Sequence, residues 1–185
     1  MVTLQRRCEK DAGGKVIVKN IFLIGFMGCG KSTVAAHLFE EYGFQIIEMD
    51  QVLVERVGMS ISEMFEKYGE TYFRNEETKL LTECENQTDK VVSCGGGVVL
   101  RKENVEIMKR SGKVVWLTAN PETILSRVKN DENRPLLEGN KNVLSIAHML
   151  EKRYANYEAA ADVIIETDDK SIEDICKEIL RKTND

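Results

Sequence analysis

Residues 25–32 match the pattern G-x-x-x-x-G-K-[ST] of a phosphate-binding loop; they read Gly-Phe-Met-Gly-Cys-Gly-Lys-Ser. Glycines in such a loop let backbone N–H groups turn toward phosphate oxygens, and a helix that begins there adds its positive dipole. The lysine interacts with the β- and γ-phosphates, and the following hydroxyl is a ligand for Mg²⁺. We therefore predict a nucleoside triphosphate site formed by Gly28, Cys29, Gly30, Lys31, Ser32 and Thr33, with Ser32 also a metal ligand.

The segments on either side of this loop support the same interpretation. An apolar β-like run at 20–24 precedes it, and apolar residues recur at helical spacing from Val34 to Tyr42. The alternative, a glycine-rich turn with no phosphate function, does not explain a strand before the loop and a helix after it.

The length and composition limit the classes of protein that this chain can form. With 185 residues we expect one domain at 19–185, preceded by a flexible tail at 1–18. The net charge of −5 disfavours nucleic-acid binding, and no apolar run approaches the ~20 residues of a membrane span. Five cysteines without a C-x-x-C pair indicate reduced thiols in the cytoplasm rather than zinc ligands. We expect a cytoplasmic monomer without nucleic-acid or membrane partners.

Strands and helices alternate along the chain. We predict strands at about 19–25, 44–48, 90–93, 113–118 and 162–166, each followed by helical segments. This order is typical of an α/β fold in which a five-stranded parallel sheet is covered by helices on both faces. Its active site is expected at the carboxyl ends of the strands. The polar stretch 130–142 resembles a mobile loop.

Two acidic residues, Glu48 and Asp50, leave the end of the second predicted strand. Alternation along an extended chain would place both carboxylates in the same crevice. One could bind the metal ion, and the other could accept a proton or a hydrogen bond from an acceptor hydroxyl. Two solvated acids at a strand end are an equal alternative.

Charged side chains also occur on the apolar faces of two predicted helices. Glu77 interrupts an inward-facing stripe, Arg74 can pair with it, and Arg153 borders the inner face of a later helix. Because a buried ion pair contributes little net stability, we interpret the two arginines as a cradle for a substrate carboxylate or phosphate. Structural salt bridges are the alternative for either arginine alone.

Three glycines and two further arginines are the remaining candidates for ligand binding. Gly95, Gly96 and Gly97 follow a predicted strand and permit close backbone approach to a ligand. Arg134, in the polar stretch, could swing onto the γ-phosphate and exclude water, and Arg127 lies seven residues before it. A surface arginine without a function is an equal alternative.

In their order and spacing these residues resemble the shikimate kinase family over most of the chain, from Asn20 to about Thr167. The resemblance implies a nucleoside-monophosphate-kinase-like P-loop NTPase fold, a three-layer αβα sandwich with strand order 2-3-1-4-5. It also implies a substrate-binding subdomain at about 51–85 and a lid at about 130–142. The implied activity is phosphorylation of the 3-hydroxyl of shikimate by ATP and Mg²⁺, in aromatic amino-acid synthesis.

The resemblance also implies roles for individual residues. Lys31, Asp50 and Arg134 would be catalytic, Arg127 would lie over adenine, and Glu48 would join Ser32 at the metal. The shikimate site would comprise Asp50, Phe65, Phe73, Arg74, Glu77, Gly95, Gly96, Gly97 and Arg153. Glu48 departs from the family's usual aspartate and moves the carboxylate by about one methylene.

Three other functions are alternatives to this one. A related small-molecule kinase, such as one acting on gluconate, is compatible with the arginine pair because gluconate also carries a carboxylate. A GTPase-like switch is disfavoured, because the Asn-Lys of a guanine-reading Asn-Lys-x-Asp motif is followed at 142–143 by Asn-Val. A member that has lost catalysis is disfavoured by the retained Lys31, Asp50 and arginines, although Glu48 leaves it open.

Overall fold

The computed structural model describes residues 9–10, 16–17, 19–128 and 142–183. Five strands form one parallel sheet: β1 (Asn20–Ile24), β2 (Gln45–Glu48), β3 (Lys90–Ser93), β4 (Gly112–Thr118) and β5 (Val163–Glu166). They lie in the order β2-β3-β1-β4-β5, and every neighbouring pair is parallel. The strand order 2-3-1-4-5 is therefore confirmed, and it places β1, which leads into the phosphate-binding loop, at the centre.

The helices connect these strands as the sequence pattern predicts. They are α1 (Lys31–Tyr42), α2 (Met49–Val57), α3 (Ile61–Glu85), α4 (Lys102–Ser111), α5 (Pro121–Val128), α6 (Val143–Ala160) and α7 (Ile172–Thr183), with a short 3₁₀ helix at Val98–Leu100. Ser60 and Glu63 form a capping box at the start of α3, and Gly69 bends that helix with φ 79°.

Side chains of β1 alternate between two cores. Ile21 and Leu23 pack in a cluster with residues of α1 and α7, whereas Phe22 and Ile24 pack with residues of α2, α3, α4 and α6. Since both faces of the strand are buried, its sequence reads as a continuous apolar run. Helices therefore cover both faces of the sheet, as expected for three αβα layers.

Some predictions fall partly or wholly outside the described residues. In the segment predicted as a flexible tail, Glu9–Lys10 pairs with Val16–Ile17 as two antiparallel strands, a pairing that the sequence pattern does not indicate. Arg134 and nearly all of the predicted lid lie outside the described residues. In the described part of the chain, no helix combines the length and apolar character needed to cross a membrane.

Candidate active site

The phosphate-binding loop joins β1 to α1 through residues of left-handed conformation. Gly25, Gly28 and Gly30 have φ values of 137°, 77° and 97°, and α1 begins at Lys31. These backbone angles require glycine, and they turn the chain sharply at the positive end of the helix. The Lys31 ammonium donates hydrogen bonds to the carbonyl oxygens of Gly25 (2.9 Å) and Phe26 (3.1 Å). The loop therefore holds its own cation above the place where phosphates would bind.

A cleft of about 700 Å³ opens over this loop at the carboxyl ends of the strands. Its walls combine the loop with acidic residues and with α5, and they include Gly28, Gly30, Lys31, Ser32, Thr33, Glu48, Asp50, Ser93, Arg127 and Val128. Cys29, predicted to bind nucleotide, is buried beneath the loop. The cleft thus gathers most of the predicted nucleotide site with both acidic candidates.

Arg127 is fixed at one side of the cleft. Its guanidinium donates to the carbonyl oxygen of Gly28 (3.3 Å) and to the hydroxyl (3.0 Å) and carbonyl oxygen (3.1 Å) of Thr167. Thr167 follows β5 and is itself buried. The residue after the last strand therefore orients an arginine beside the phosphate-binding loop.

Glu48 links the loop to the neighbouring strands. It accepts a hydrogen bond of 3.1 Å from the Ser32 hydroxyl, and the Ser93 hydroxyl is a second donor. Burial raises the pKa of Glu48, and the bonds from Ser93 and Ser32 together with the charge of Lys31 oppose that rise. A hydroxyl and a carboxylate oxygen this close are the hard donors that Mg²⁺ prefers, so these two residues fit a magnesium ion.

The described residues contain no cluster of three or more histidine, cysteine or acidic side chains arranged for a metal ion.

The expected geometry of Glu48 and Asp50 is wrong in one respect. The strand β2 ends at Glu48, and Asp50 lies in the first turn of α2, so the two residues do not alternate along one strand. Both nevertheless line the cleft, because α2 begins directly where the strand ends. The shared crevice is confirmed, but a helix start rather than strand alternation produces it.

Arg74 and Glu77 form the inward ion pair that the helical pattern predicts. Arg74 Nη1 lies 2.5 Å from Glu77 Oε2, and its Nη2 lies 3.0 Å from Glu70. Burial lowers the pKa of Arg74, but the Glu77 and Glu70 carboxylates outweigh it and hold that pKa above its usual value. Burial also raises the pKa of Glu77, which Arg74 only partly opposes. The guanidinium is therefore a permanent charge, locked in direction by two acids.

Side chains from two helices, α2 and α3, meet at the turn Gly95–Gly97, which follows β3. A Cβ atom on Gly95 would lie 2.7 Å from Glu77 Oε1 and 2.8 Å from Asp50 Oδ1. A Cβ atom on Gly97 would lie 2.6 Å from the central carbon of the Arg74 guanidinium. Real Cβ atoms do not approach other atoms so closely, so the missing side chains are what allow Asp50, Glu77 and Arg74 to meet. Among the described residues, Glu77 Oε1 has no hydrogen-bond donor.

Arg153 reaches the same turn from α6. Its Nη1 donates to the Gly96 carbonyl oxygen over 3.4 Å, and the Tyr157 hydroxyl donates to that oxygen over 2.6 Å. Since Arg74 contacts Gly97 and Arg153 contacts Gly96, the two predicted cradle arginines reach adjacent residues of one turn from different helices.

Aromatic rings flank both arginines. The Phe65 and Phe73 rings meet edge to face at 5.1 Å, and the Arg74 guanidinium lies 5.3 Å from the Phe73 ring centre. The Arg153 guanidinium lies 6.0 Å from the ring of Phe26. Apolar walls next to the charges lower the local dielectric constant and strengthen any ion pair formed there.

Three residues of the site were not predicted from the sequence. Ser93 bonds to Glu48, Thr167 orients Arg127, and Tyr157 holds Gly96. Ser93 is the last residue of β3, and Thr167 directly follows β5. Since ligands bind at the carboxyl ends of parallel strands, these positions in the sequence already indicate a place in the site. The sequence pattern shows Tyr157 only as one of several apolar residues at helical spacing, with no sign of a role for its hydroxyl.

Comparison with known proteins identifies close relatives. A family model described as "Shikimate kinase" matches residues 27–184. The shikimate kinase of Geobacter sulfurreducens is 43% identical over 161 residues, which are 87% of this chain and 88% of that protein. The structure of the Acinetobacter baumannii shikimate kinase in complex with shikimate superimposes with a TM-score of 0.82 at 35% identity. The superposition covers 89% of this chain and 92% of the Acinetobacter baumannii chain.

The gluconokinase of Sinorhizobium meliloti is also similar in structure, with a TM-score of 0.55 at 15% identity. The superposition covers 91% of this chain and 93% of the gluconokinase chain. At this identity the likeness shows a shared P-loop fold and does not bear on the acceptor.

The geometry of the loop predicts that replacing Gly28 by alanine impairs nucleotide binding. Gly28→Ala places an L side chain at φ 77°, and its Cβ would lie 2.7 Å from a Val128 methyl carbon. Gly43→Ala is a matched control, since φ is 71° there and nothing lies within 4 Å of the added atom. The left-handed backbone should cost both variants about 1–2 kcal/mol of stability, and the contact with Val128 should destabilise Gly28→Ala further. Only Gly28→Ala should weaken binding of a non-hydrolysable ATP analogue in calorimetric titration. Equal affinities in the two variants would contradict this prediction.

Proposed function

The chain belongs to the shikimate kinase family, whose members are ATP-dependent kinases, and we propose that it transfers the γ-phosphoryl group of ATP to the 3-hydroxyl of shikimate. The product would be shikimate 3-phosphate, an intermediate of aromatic amino-acid synthesis. The observation that carries the choice of acceptor is the convergence of Arg74 and Arg153 on one glycine turn beside Asp50.

The two arginines suit a small carboxylate better than a neutral alcohol. They come from different helices and border adjacent glycines, so a planar anion between them could accept hydrogen bonds from both guanidinium groups. Phe65 and Phe73 would supply apolar contacts to the ring that carries the carboxylate. Glu77 would hold Arg74 in the binding direction.

Asp50 connects the two halves of the proposed site. It lines the cleft over the phosphate-binding loop, and its Oδ1 faces Gly95 in the glycine turn. An acceptor hydroxyl placed between the turn and the loop could donate to this carboxylate, which would orient the hydroxyl and accept its proton. We therefore assign Asp50 as the catalytic base.

The phosphate side would use the loop. Lys31 would exchange its carbonyl partners for β- and γ-phosphate oxygens, and the backbone of 28–33 would surround the phosphates. Ser32 and Glu48 would hold Mg²⁺, whose charge neutralises the phosphate oxygens. Arg127 would lie over adenine, and Arg134 would approach the γ-phosphate from a lid at 130–142.

We further propose that residues 51–85 form the acceptor-binding subdomain and that the enzyme is a cytoplasmic monomer without nucleic-acid or membrane partners. The net charge of −5 and five cysteines without a C-x-x-C pair support this part of the proposal.

An acceptor panel tests the proposed reaction. The purified chain is supplied with ATP and Mg²⁺ and with shikimate, gluconate or buffer alone, and ADP release is followed. Shikimate should stimulate ADP release strongly, chelation by EDTA should abolish it, and added Mg²⁺ should restore it. Equal rates with all three additions would refute the proposed acceptor.

Removing either cradle arginine should impair use of the acceptor. Arg74→Ala and Arg153→Ala each delete a charged partner of a desolvated carboxylate, which costs about 2–5 kcal/mol, or roughly 30-fold or more in kcat/KM for shikimate. Arg110→Ala, which removes an exposed ion pair with Glu85, is the control and should retain the wild-type kcat/KM. Unchanged shikimate kinetics in Arg74→Ala and Arg153→Ala would rule out the cradle.

Asp50→Asn should separate chemistry from nucleotide binding. The amide keeps the shape of the side chain but cannot accept the proton, so we expect kcat to fall by about 10²–10⁴. The control variant is Asp174→Asn, at the start of α7. In calorimetric titration, Asp50→Asn and this control should bind the ATP analogue with the same affinity. A fully active Asp50→Asn enzyme would remove the proposed base.

A further inference from the structure

We propose that Tyr157 is a positioning residue, whose hydroxyl fixes the peptide between Gly96 and Gly97 so that its N–H and Arg153 are both available to an acceptor carboxylate. The inference rests on the proposed function and extends it, because it concerns a group that would not touch the substrate.

The Tyr157 ring is held rigidly. The side chain is fully buried and stacks on Trp116 of β4, with ring centres 5.5 Å apart and planes inclined by 19°. A carbonyl oxygen can only accept, so in the 2.6 Å contact with Gly96 the phenol must be the donor. Burial raises the pKa of Tyr157 to about 12, which keeps the hydroxyl protonated across the physiological range.

Fixing one oxygen fixes the whole peptide unit. A trans peptide is planar, and its C=O and N–H groups point in opposite directions. Because the Gly96 carbonyl is drawn toward Tyr157 on α6, the Gly97 N–H must point away from α6. Gly97 also borders the Arg74 guanidinium. The tyrosine therefore sets the direction of a backbone donor next to one of the two cradle arginines.

Arg153 interacts with both partners of this bond, because it is a donor to the Tyr157 hydroxyl and to the Gly96 oxygen. The Gly96 oxygen receives a short bond from Tyr157 and a long one, 3.4 Å, from Arg153. Without the phenol, Arg153 would be the remaining described donor to the Gly96 carbonyl, which is only partly buried. An acceptor that is partly shielded from water favours a donor already beside it. The arginine would then be diverted from an incoming carboxylate.

Gly96 also lies beside the phosphate-binding loop, since a Cβ atom on it would be 3.7 Å from the Gly25 oxygen and 3.8 Å from the Tyr157 hydroxyl. These are ordinary contact distances, so the turn is packed between the loop and α6 without being compressed. Gly96 therefore has the loop on one side and α6 on the other, and the hydrogen bond from Tyr157 holds its carbonyl toward α6.

The test compares Tyr157→Phe with Tyr154→Phe. The first change keeps the buried ring and removes only the hydroxyl. Tyr154 lies on the same helix and also packs on Trp116, at 5.2 Å, but its side chain is half exposed and its hydroxyl has no hydrogen bond to the described residues. Steady-state kinetics with varied shikimate and varied ATP, and calorimetric binding of shikimate, are measured for wild type and both variants.

We expect Tyr157→Phe to raise the KM and the dissociation constant for shikimate about tenfold, with the KM for ATP unchanged. Tyr154→Phe should match the wild type in all three quantities. A purely structural role would lower the amount of folded enzyme, and hence the apparent kcat, without moving the KM for shikimate.

An unchanged shikimate KM in Tyr157→Phe would overturn the inference while leaving the proposed function intact, as would an equal rise in both KM values. If the wild type neither binds nor phosphorylates shikimate, the proposed function fails, and this inference fails with it.

Discussion

The site depends on a steric constraint, namely that no side chain can be present at Gly95 or Gly97. At Gly97 the backbone φ of −104° is open to any residue, so space rather than conformation requires glycine there. Gly28 differs, because its φ of 77° requires glycine by conformation as well. Two acids and an arginine from other elements thus occupy the space that side chains on this turn would need.

Burying the charged side chains beside this turn costs free energy. Glu77 is completely enclosed, and burial raises its pKa even with the Arg74 guanidinium in contact. A buried ion pair of this kind contributes little to net stability, and an apolar pair of the same volume would often serve the fold as well. In the proposed acceptor site its benefit would be preorganisation, because Glu77 and Glu70 already orient the guanidinium.

The parallel sheet supplies the common edge at which these groups meet. The phosphate-binding loop follows β1, Glu48 ends β2, Ser93 ends β3 and Thr167 follows β5. Parallel strands all present their carboxyl ends at one edge, so residues far apart in sequence become neighbours without any long loop. The helices then add Asp50, Arg74 and Arg153 from one side of that edge. The geometry of the candidate site is therefore largely a consequence of topology.

Local patterns in the sequence determined much of this protein. The phosphate-binding loop, the Ser60 capping box, the end of α1 at Gly43 and the inward placement of Glu77 follow from spacing over a few residues. Such features depend on interactions within one or two turns of chain, which is why they can be read directly. The strand order followed from a family resemblance and not from spacing.

Tertiary structure alone decided the contacts between distant segments. Tyr157 binds a carbonyl oxygen 61 positions away, and no periodicity distinguishes its hydroxyl from an ordinary apolar position. Asp50 lies on α2 because β2 already ends at Glu48. The alternation of side chains along an extended strand had predicted that Asp50 belongs to the strand. Long-range contacts of this kind are fixed by how elements pack, and packing is a property of the whole core rather than of any short stretch of chain.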